Sequence, residues 1–485
     1  MSEQEQKKGV DRRHFLLSGV AASAALGLSK ALAEAAPASA SAKPSSARPN
    51  IVLYMSDQFR WDFVGANGLN SSTRTTNLDQ LAAMGKNFSG AVTNQPVCAP
   101  ARSVMLTGRH ATETGVWKNG IPMSQSLPTL AGELRKAGYS SNLIGKWHLA
   151  GGEPGFVKPE LRGGFDDLWE GANALEHTSH PYEGSIYDGD GKEISFKDQY
   201  RVDFLTDRAE KFLRQKHDKP FFLFISQLEP HQQNDWESRI VGPKGSVERF
   251  QNAQVPPDLR NLPGNWQQQL PDYYGACEAI DQSVGRVRRI LEEEKLADNT
   301  IFVFISDHGC HFMTRNQEYK RSAHNASTRI PLLIDGPGFE GAERIEQRVG
   351  IIDIAPTLLE AAGVPVPPTM KGVSLMPLVR DPHARATWPD EQLIQISESM
   401  TGRAIRTRDW TYCVAEITGT TNQQAAPVYQ EYQLFDQRND PSEQVNLVGR
   451  KEYRKQADEL RERLKKLIVA AGEPEPEIRP AKLYA

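Results

Sequence analysis

Residues 51–58 of the chain read IVLYMSDQ, and this stretch decides the fold. Five apolar residues end at Met55, and a serine, the carboxylate of Asp57 and the amide of Gln58 follow directly. The same arrangement returns at residues 301–309, IFVFISDHG, where the apolar run is followed by Asp307 and His308. Continuous apolar runs of this length are typical of strands that are buried on both faces of a sheet. The two stretches therefore predict an α/β fold with a covered sheet.

Further apolar runs extend the predicted sheet around these two strands. Runs bounded by turn residues lie at 140–144, 221–226 and 331–334. Between the runs, helical patterns are present at residues 78–84, 127–136, 201–216, 273–295 and 355–362. Strands that alternate with helices predict a large mixed, mostly parallel sheet flanked by helices.

A second, smaller unit is predicted after the proline-rich residues 363–377. Its strand-like runs, 392–397, 403–415 and 432–435, precede a charged amphipathic helix at 451–470. Strands followed by a helix are typical of an antiparallel α+β arrangement. We therefore predict a larger domain at residues 49–377 and a C-terminal antiparallel α+β subdomain at 378–485.

The first 33 residues carry the features of an export signal. Arg12 and Arg13 precede a modest apolar stretch at 17–32, and a small-residue cleavage site ends at Ala33. The paired arginines resemble the twin-arginine signal, which directs folded bacterial proteins to their export machinery. The alternative is a disordered tail with a chance arginine pair. We predict an exported protein, periplasmic or secreted, in which residues 34–48 form a flexible linker rich in alanine, serine and proline.

Composition and charge narrow the class of protein. The chain has 485 residues, of which 39% are hydrophobic and 24% charged, as in soluble globular proteins, and no segment predicts a stable membrane span. The formal net charge of −4 does not favour nucleic acid or an anionic membrane as a partner, so an anionic substrate needs a local basic pocket. Four cysteines without a C-x-x-C pair predict neither a disulfide framework nor a structural zinc site.

Polar side chains follow four of the predicted strands at the point where each strand ends. The strands at 51–55 and 301–305 are followed by Asp57 with Gln58 and by Asp307 with His308. The strand at 140–144 is followed by Lys146 and His148, and the strand at 221–226 by His231. Because ligands collect beyond the carboxyl ends of strands in such sheets, we expect these side chains to lie together. The two carboxylates, with the amide and the imidazole beside them, suit a divalent cation such as Ca²⁺ or Mg²⁺. The alternative is that each carboxylate caps a turn or a helix.

One further motif, Cys98-Ala99-Pro100-Ala101-Arg102, leads into a Leu-Thr-Gly sequence that ends at Gly108. Taken alone, it is consistent with a buried thiol near a turn. In its context the chain resembles the sulfatase family, whose signature is C-x-P-x-R followed by a Leu-Thr-Gly helix. The resemblance covers most of the chain and extends to Arg48-Pro49-Asn50-Ile51, Gly145-Lys146-Trp147-His148, Ser306-Asp307-His308-Gly309, Lys320, Arg329-Ile330-Pro331, Asp353-Ile354-Ala355-Pro356-Thr357-Leu358, Leu434-Phe435-Asp436 and Asp440-Pro441-Ser442-Glu443.

The resemblance implies a formylglycine-dependent sulfatase of the alkaline phosphatase superfamily. In that family a formylglycine-generating maturation enzyme oxidises the signature cysteine, here Cys98, to an aldehyde that hydrates to a geminal diol. One diol oxygen attacks sulfur and forms a covalent sulfate ester while the alcohol leaves. The second hydroxyl then loses its proton and expels sulfate, which restores the aldehyde.

The resemblance also implies roles for the residues at the strand ends. Residue 98 would hold a divalent cation together with Asp57, Gln58, Asp307 and His308, with Ca²⁺ expected and Mg²⁺ as the alternative. Gln58 and His308 stand where the family often has aspartate and asparagine. The remaining implied roles are orientation of residue 98 by Arg102, sulfate binding by Lys146 and Lys320, turnover of the diol by His148, and protonation of the leaving alkoxide by His231.

The function that these features predict is hydrolysis of a sulfate ester. Residues 227–272 are rich in proline, asparagine and glutamine with aromatic residues nearby, which favours a carbohydrate sulfate over a small aryl or alkyl sulfate. A phosphonate monoester or phosphodiester hydrolase of the same superfamily is the alternative enzyme. A catalytically inactive protein that binds sulfated glycans is the alternative outside enzymes, although a binder has no need of an oxidisable Cys98.

Overall fold

The computed structural model describes residues 48–419 and 422–484, and these residues belong to one compact unit. The predicted export signal and all of the predicted linker except residue 48 lie outside the described residues. Within the described residues, no helix combines the length and the apolar character that crossing a bilayer requires. The division into domains at residue 377 stays a prediction.

Eighteen strands and twelve α-helices form the described part of the chain. In chain order the strands are β1 Asn50–Asp57, β2 Lys86–Phe88, β3 Ala91–Val92, β4 Ser140–Lys146, β5 Trp169–Ala172, β6 Ser179–His180, β7 Glu183–Tyr187, β8 Glu193–Lys197, β9 Phe221–Pro230, β10 Thr300–Ser306, β11 Leu332–Asp335, β12 Glu343–Ile345, β13 Val349–Gly350, β14 Glu391–Ile396, β15 Gly402–Thr407, β16 Trp410–Ala415, β17 Val428–Asp436 and β18 Glu477–Arg479. The helices are α1 Thr76–Met84, α2 Cys98–Thr107, α3 Ala111–Thr114, α4 Leu130–Lys136, α5 Arg201–Leu213, α6 Ser246–Phe250, α7 Trp266–Glu293, α8 Asn325–Thr328, α9 Ile354–Ala361, α10 Met376–Arg380, α11 Pro382–Thr387 and α12 Arg454–Ala470.

The main sheet has eleven strands in the order β12-β2-β11-β10-β1-β9-β4-β5-β7-β6, with β8 paired to β7. Its five central strands, from β10 to β5, run parallel to one another. Antiparallel strands close both sides of this parallel centre. The predicted fold class, a mixed sheet with a parallel centre, is therefore confirmed.

Strand β1 lies at the middle of the sheet and is buried along its whole length. Its residues alternate between two hydrophobic cores, as the two-residue period of a strand requires. Leu53 packs in the core formed with helices α2, α4 and α9, whereas Tyr54 packs in the core formed with helices α5 and α7. The continuous apolar pattern of residues 51–55 follows from this double burial.

The C-terminal part of the described chain forms a second sheet of five strands in the order β14-β15-β16-β17-β18. The first three pairings are antiparallel and the last is parallel, and helix α12 packs on this sheet. The prediction of one strand over residues 403–415 was wrong, because the run folds into the hairpin of β15 and β16. The Thr407 hydroxyl accepts hydrogen bonds from the backbone N–H groups of Asp409 and Trp410, and this fixes the turn.

The predicted helix at residues 127–136 begins three residues later than expected, at Leu130. The hydroxyl of Thr129 accepts a hydrogen bond from the Gly132 N–H at 3.0 Å, so Thr129 is the N-cap. The sequence signal for this start is Pro128, because a proline disfavours a helical conformation at the preceding residue, here Leu127.

Candidate active site

Four central strands deliver polar side chains to one edge of the sheet. Asp57 is the last residue of β1, Lys146 the last of β4, and Asp307 follows β10 directly. All three side chains have no exposed surface. His231 follows β9 and is also buried. The convergence expected from the strand ends is therefore present in the structure.

Cys98 meets this edge from the first position of helix α2, in which every residue is buried. Its Sγ lies 2.9 Å from Lys320 Nζ, 3.2 Å from His308 Nε2 and 3.5 Å from Asp57 Oδ1.

The surroundings of Cys98 favour a negative charge on that atom. Burial opposes ionisation, but the cationic groups of Lys146 and Lys320, followed by His308, hold the pKa of the Cys98 thiol well below its usual range. The other three cysteines of the chain are equally buried free thiols, and burial raises the pKa of each, that of Cys310 to about 12. The lower pKa of Cys98 comes from the neighbouring positive charges, and a lowered thiol pKa is a feature of nucleophilic cysteines.

The ligand atoms of Asp57, Cys98, Asp307 and His308 all lie within 4.8 Å of one another, so this cluster could hold a metal ion. One further oxygen supports this assignment: Gln58 Oε1 is buried and accepts no hydrogen bond. A buried oxygen without a partner is costly unless a ligand satisfies it. The residues present therefore fit a divalent cation.

The backbone at the cluster is held in an unusual conformation. Gln58 has a φ of 70° and His148 a φ of 65°, in the left-handed region that side chains other than glycine rarely adopt. The Gln58 N–H donates to Asp307 Oδ1 at 3.1 Å, and the phenol of Tyr273 donates to the Gln58 carbonyl at 2.7 Å. These bonds hold Gln58 beside the cluster and offset the strain.

Arg102 holds the carboxylates of Asp57 and Asp307 in place. Its Nη2 donates to Asp57 Oδ2 at 3.1 Å, its Nη1 donates to Ser226 Oγ at 2.7 Å, and its Nε lies 3.5 Å from Asp307 Oδ2. The guanidinium is completely buried. Its Nη1 also donates to the Lys146 carbonyl at 2.9 Å, so its polar contacts join β1, β4, β9 and the residue after β10. The sequence analysis expected Arg102 to orient residue 98 itself.

Two lysines bring positive charge to the site from different directions. Lys146 Nζ lies 2.9 Å from Asp57 Oδ2 and 3.1 Å from Glu176 Oε2. Lys320 comes from the long loop after β10, and its backbone carbonyl lies 2.9 Å from His311 Nε2. Two ammonium groups beside Cys98 form the local basic pocket that the mildly acidic chain needs for an anionic substrate.

His231 and Lys320 form a buried polar pair at the site. Lys320 Nζ lies 2.9 Å from His231 Nε2, and the other ring nitrogen, Nδ1, lies 2.5 Å from the Gln232 carbonyl. Burial, followed by the charge of Lys320, lowers the pKa of His231. The imidazole is therefore neutral near pH 7 and accepts a hydrogen bond from the lysine. His148 also lies at the site, where, after the charges of Lys146, Lys320 and His308, it contributes to the lowered pKa of the Cys98 thiol.

Two residues of the site were missed by the sequence analysis. Although burial disfavours a charged carboxylate, Lys146 lowers the pKa of Glu176 to about 2, and the carboxylate anchors the ammonium group. Gln232 accepts a hydrogen bond from Gln58 Nε2 at 2.8 Å, which leaves Gln58 Oε1 free. Glu176 comes shortly after the four-residue strand β5, which was too short to be predicted, so the strand-end rule was not applied there. The position of Gln232 directly after His231 was the available signal for Gln232.

Comparisons with known proteins show which family the chain resembles. A family model described as Sulfatase matches residues 49–364, and one described as N-sulphoglucosamine sulphohydrolase, C-terminal, matches residues 318–470. The chain is 30% identical over 450 residues to an ulvan-active sulfatase of Formosa agariphila, with 88% of this chain and 82% of that protein covered. It is 24% identical over 525 residues to an N-acetylglucosamine-6-O-sulfatase of Bacteroides thetaiotaomicron, with 91% and 90% covered.

Among solved structures, one in complex with its substrate D-glucosamine-2-N,6-O-disulfate superimposes on this chain with a TM-score of 0.71. The two chains are 24% identical, and the match covers 88% of this chain and 99% of the other. This likeness concerns the fold.

Proposed function

The chain belongs to the sulfatase family and is a sulfuric ester hydrolase, and from this premise we propose that it hydrolyses sulfate esters of carbohydrates through a formylglycine formed from Cys98. One observation carries the proposal: Cys98, 1% exposed, lies within 3.5 Å of a carboxylate, an imidazole and an ammonium group. Such surroundings stabilise a negatively charged nucleophile and the sulfate that it attacks. The named substrates of the curated relatives, ulvan and N-acetylglucosamine, support a carbohydrate.

Each polar group at the site has a task in this reaction. Lys146 and Lys320 bind the sulfate oxygens and neutralise the charge that develops on them. The pair of Lys320 and His231 holds the proton for the leaving oxygen, because the ammonium donates to the neutral imidazole at 2.9 Å. His148, which contributes to the lowered pKa of the Cys98 thiol, accepts the proton of the diol when sulfate is expelled.

We further propose that Asp57, Gln58, Asp307 and His308 hold a divalent cation together with residue 98. When bound, the cation supplies charge that polarises the nucleophile and the sulfate oxygens. The donor oxygens of Asp57, Gln58 and Asp307 favour Ca²⁺, with Mg²⁺ as the alternative. Gln58 Oε1, which is buried and accepts no hydrogen bond, supports the site.

The mass of the peptide that contains Cys98 tests the proposed nucleophile. We expect a loss of about 18 Da relative to cysteine in protein made with a formylglycine-generating enzyme, which follows from replacement of the thiol-bearing carbon by an aldehyde. Since residues 1–33 predict twin-arginine export of the folded chain to the periplasm or medium, the cytoplasmic precursor should already carry this change.

A second experiment compares the turnover of sulfate esters with that of phosphonate monoesters and phosphodiesters. We expect the modified enzyme to hydrolyse 4-nitrophenyl sulfate and sulfated sugars faster than the corresponding phosphonate monoesters and phosphodiesters. Faster turnover of the phosphonate would assign the chain's main activity to the phosphonate hydrolases. A thiol at Cys98, in a host that converts a control sulfatase, favours the sulfated-glycan-binding protein.

Replacement of Gln232 tests how the cation site is positioned. We expect Gln232→Ala to weaken cation binding by about tenfold. The hydrogen bond from Gln58 Nε2 to Gln232 fixes the orientation of the Gln58 amide, and without this bond Gln58 Oε1 is no longer held in place for the cation. Isothermal titration of the metal-free protein with Ca²⁺, and separately with Mg²⁺, measures this change and the preferred ion. Asn234→Ala is the control. Asn234 is exposed and accepts a hydrogen bond from Gln232 Nε2, so its loss leaves the bond between Gln58 and Gln232 Oε1 in place. Equal affinities for wild type and Gln232→Ala would remove Gln232 from this role.

A further inference from the structure

A tight loop at residues 231–239 connects the catalytic edge to the protein surface. It begins at His231 and carries Trp236 near its tip. The loop closes on itself, because the Gln233 N–H donates to the Arg239 carbonyl at 2.7 Å and the Arg239 N–H donates to the Trp236 carbonyl at 3.0 Å. The loop therefore presents Trp236 on a defined turn.

The base of this loop is fixed by a buried side chain. Gln233 is 2% exposed, and its Nε2 donates to the Ser179 carbonyl at 2.9 Å and also to the Glu176 carbonyl. Its Oε1 lies 3.4 Å from the guanidinium of Arg201. Glu176 is the residue that anchors Lys146, so the loop and the sulfate-binding lysine share one support.

Trp236 is exposed over 43% of its surface, which is unusual for the largest apolar side chain. The ring of His180 lies 6.0 Å from the Trp236 ring, and the Arg239 guanidinium lies 5.2 Å from it. Asp235 Oδ2 lies 3.4 Å from His180 Nε2 and orients that imidazole. We name Trp236, His180 and Arg239 together the Trp236 platform.

The backbone beside the tryptophan is strained. Glu237 and Ser238, the next two residues, have φ values of 51° and 52°, so two consecutive side chains lie in the left-handed region. Such conformations cost free energy, and they are concentrated where a binding or catalytic group has to be presented in one direction. The strain together with the exposure indicates that the display of Trp236 is functional.

The length of the connecting chain limits how far the platform can lie from the catalytic edge. Trp236 comes five positions after His231, which limits the distance between their Cα atoms to about 18 Å. His180 comes four positions after Glu176, which limits the distance between those two Cα atoms to about 14 Å. A cleft of about 560 Å³, lined by residues 177–180, 183–185 and 195–197, continues from His180 and gives room for further sugar units.

We propose that the Trp236 platform binds a sugar unit next to the sulfated one, so that the enzyme acts on sulfated oligosaccharides in preference to monosaccharides. This inference rests on the proposed carbohydrate sulfatase function. The apolar face of a pyranose ring stacks on the indole, as apolar groups do on a large flat side chain. The exposed Arg239 guanidinium then pairs with an anionic substituent on the same sugar.

Trp236→Ala tests the platform, with full-length, formylglycine-containing protein throughout. The substrates are 4-nitrophenyl sulfate, sulfated monosaccharides, and two tetrasaccharides, one from ulvan and one that bears N-acetylglucosamine 6-sulfate. We expect kcat/KM for the tetrasaccharide that wild type hydrolyses to fall about tenfold, through KM, because binding away from the reacting bond is lost. The value for 4-nitrophenyl sulfate should stay within about twofold. Trp236→Phe should retain most of the tetrasaccharide activity.

Tyr432→Ala is the matched control, since Tyr432 is a 49% exposed aromatic residue on the second sheet. The platform is overturned by an equal loss on 4-nitrophenyl sulfate and tetrasaccharide, by no loss on the tetrasaccharide, or by a wild type that does not prefer the tetrasaccharide to the monosaccharide. Hydrolysis of 4-nitrophenyl sulfate without hydrolysis of any sulfated sugar overturns the platform together with the carbohydrate assignment. No hydrolysis of any sulfate ester overturns the proposed function itself.

Discussion

Replacement of Cys98 by alanine is expected to lower kcat/KM for every sulfate ester by at least about 10⁴-fold, since it removes the nucleophile from a site built around it. The fold should be retained, because alanine is smaller than cysteine and has a higher helix propensity at the start of helix α2. The measurement is turnover of 4-nitrophenyl sulfate, with circular dichroism to establish folding.

The serine variant separates the two chemical steps. Cys98→Ser places one hydroxyl where the modified residue has two, so it can accept sulfate but has no second hydroxyl to expel it. We expect the variant to gain about 80 Da, the mass of one SO₃ group, on incubation with 4-nitrophenyl sulfate and to release no further product. Rapid multiple turnover by Cys98→Ser would contradict the diol mechanism.

Cys413→Ala is the control for both variants. Cys413 is an equally buried free thiol, and it packs in a separate apolar cluster with Val92 and Ile394. Burial raises its pKa, whereas the cations around Cys98 lower the pKa of that thiol. We therefore expect Cys413→Ala to keep its activity within about twofold, because no charged group of the site depends on it.

Much of the site could be predicted from the sequence because it lies at the ends of buried strands. A strand that is covered on both faces is a continuous apolar run, and its first polar residue marks the edge of the sheet. This reasoning places Asp57, Lys146, His231 and Asp307 together without any knowledge of the family. The structure brings these side chains to the same edge.

Other parts of the site carry no such pattern. Lys320 comes from a loop without regular secondary structure, where hydrogen bonds such as that of His311 to the Lys320 carbonyl fix the path of the chain. Only the resemblance to the sulfatases singled it out. The strands β6, β7 and β8 are short and partly exposed, so their hydrophobic patterns are weak. The surface that presents Trp236 and His180 was therefore outside what periodicity predicts.

The hairpin of β15 and β16 shows a different limit. Both strands are rich in buried residues, and only Arg408 and Asp409 interrupt the run. The turn is set by hydrogen bonds to the Thr407 hydroxyl, which composition does not reveal.

The second large effect is expected from Lys146, which is buried between two carboxylates. Its ammonium group lies 2.9 Å from Asp57 Oδ2 and about equally close to Glu176, and none of these side chains is more than 3% exposed. Lys146→Met removes the charge and leaves the volume nearly unchanged. We expect a loss of about 3 kcal/mol in the free energy of unfolding, because Glu176 then remains charged and buried without its partner. Asp57 keeps Arg102 as a partner at 3.1 Å.

The double variant Lys146→Met/Glu176→Gln distinguishes the structural role of Lys146 from its role toward substrate. Glutamine has the shape of glutamate without its charge, so the double variant should regain most of the lost stability in urea unfolding. Its kcat/KM for 4-nitrophenyl sulfate should remain about 10³-fold below wild type, because a missing sulfate-binding cation is not replaced by removal of a neighbouring anion. Recovery of activity in parallel with stability would show that Lys146 serves only to neutralise Glu176. An unchanged stability in the single variant would instead contradict the buried ion pair as a structural support, and the loss of activity alone would then measure the contact of Lys146 with sulfate.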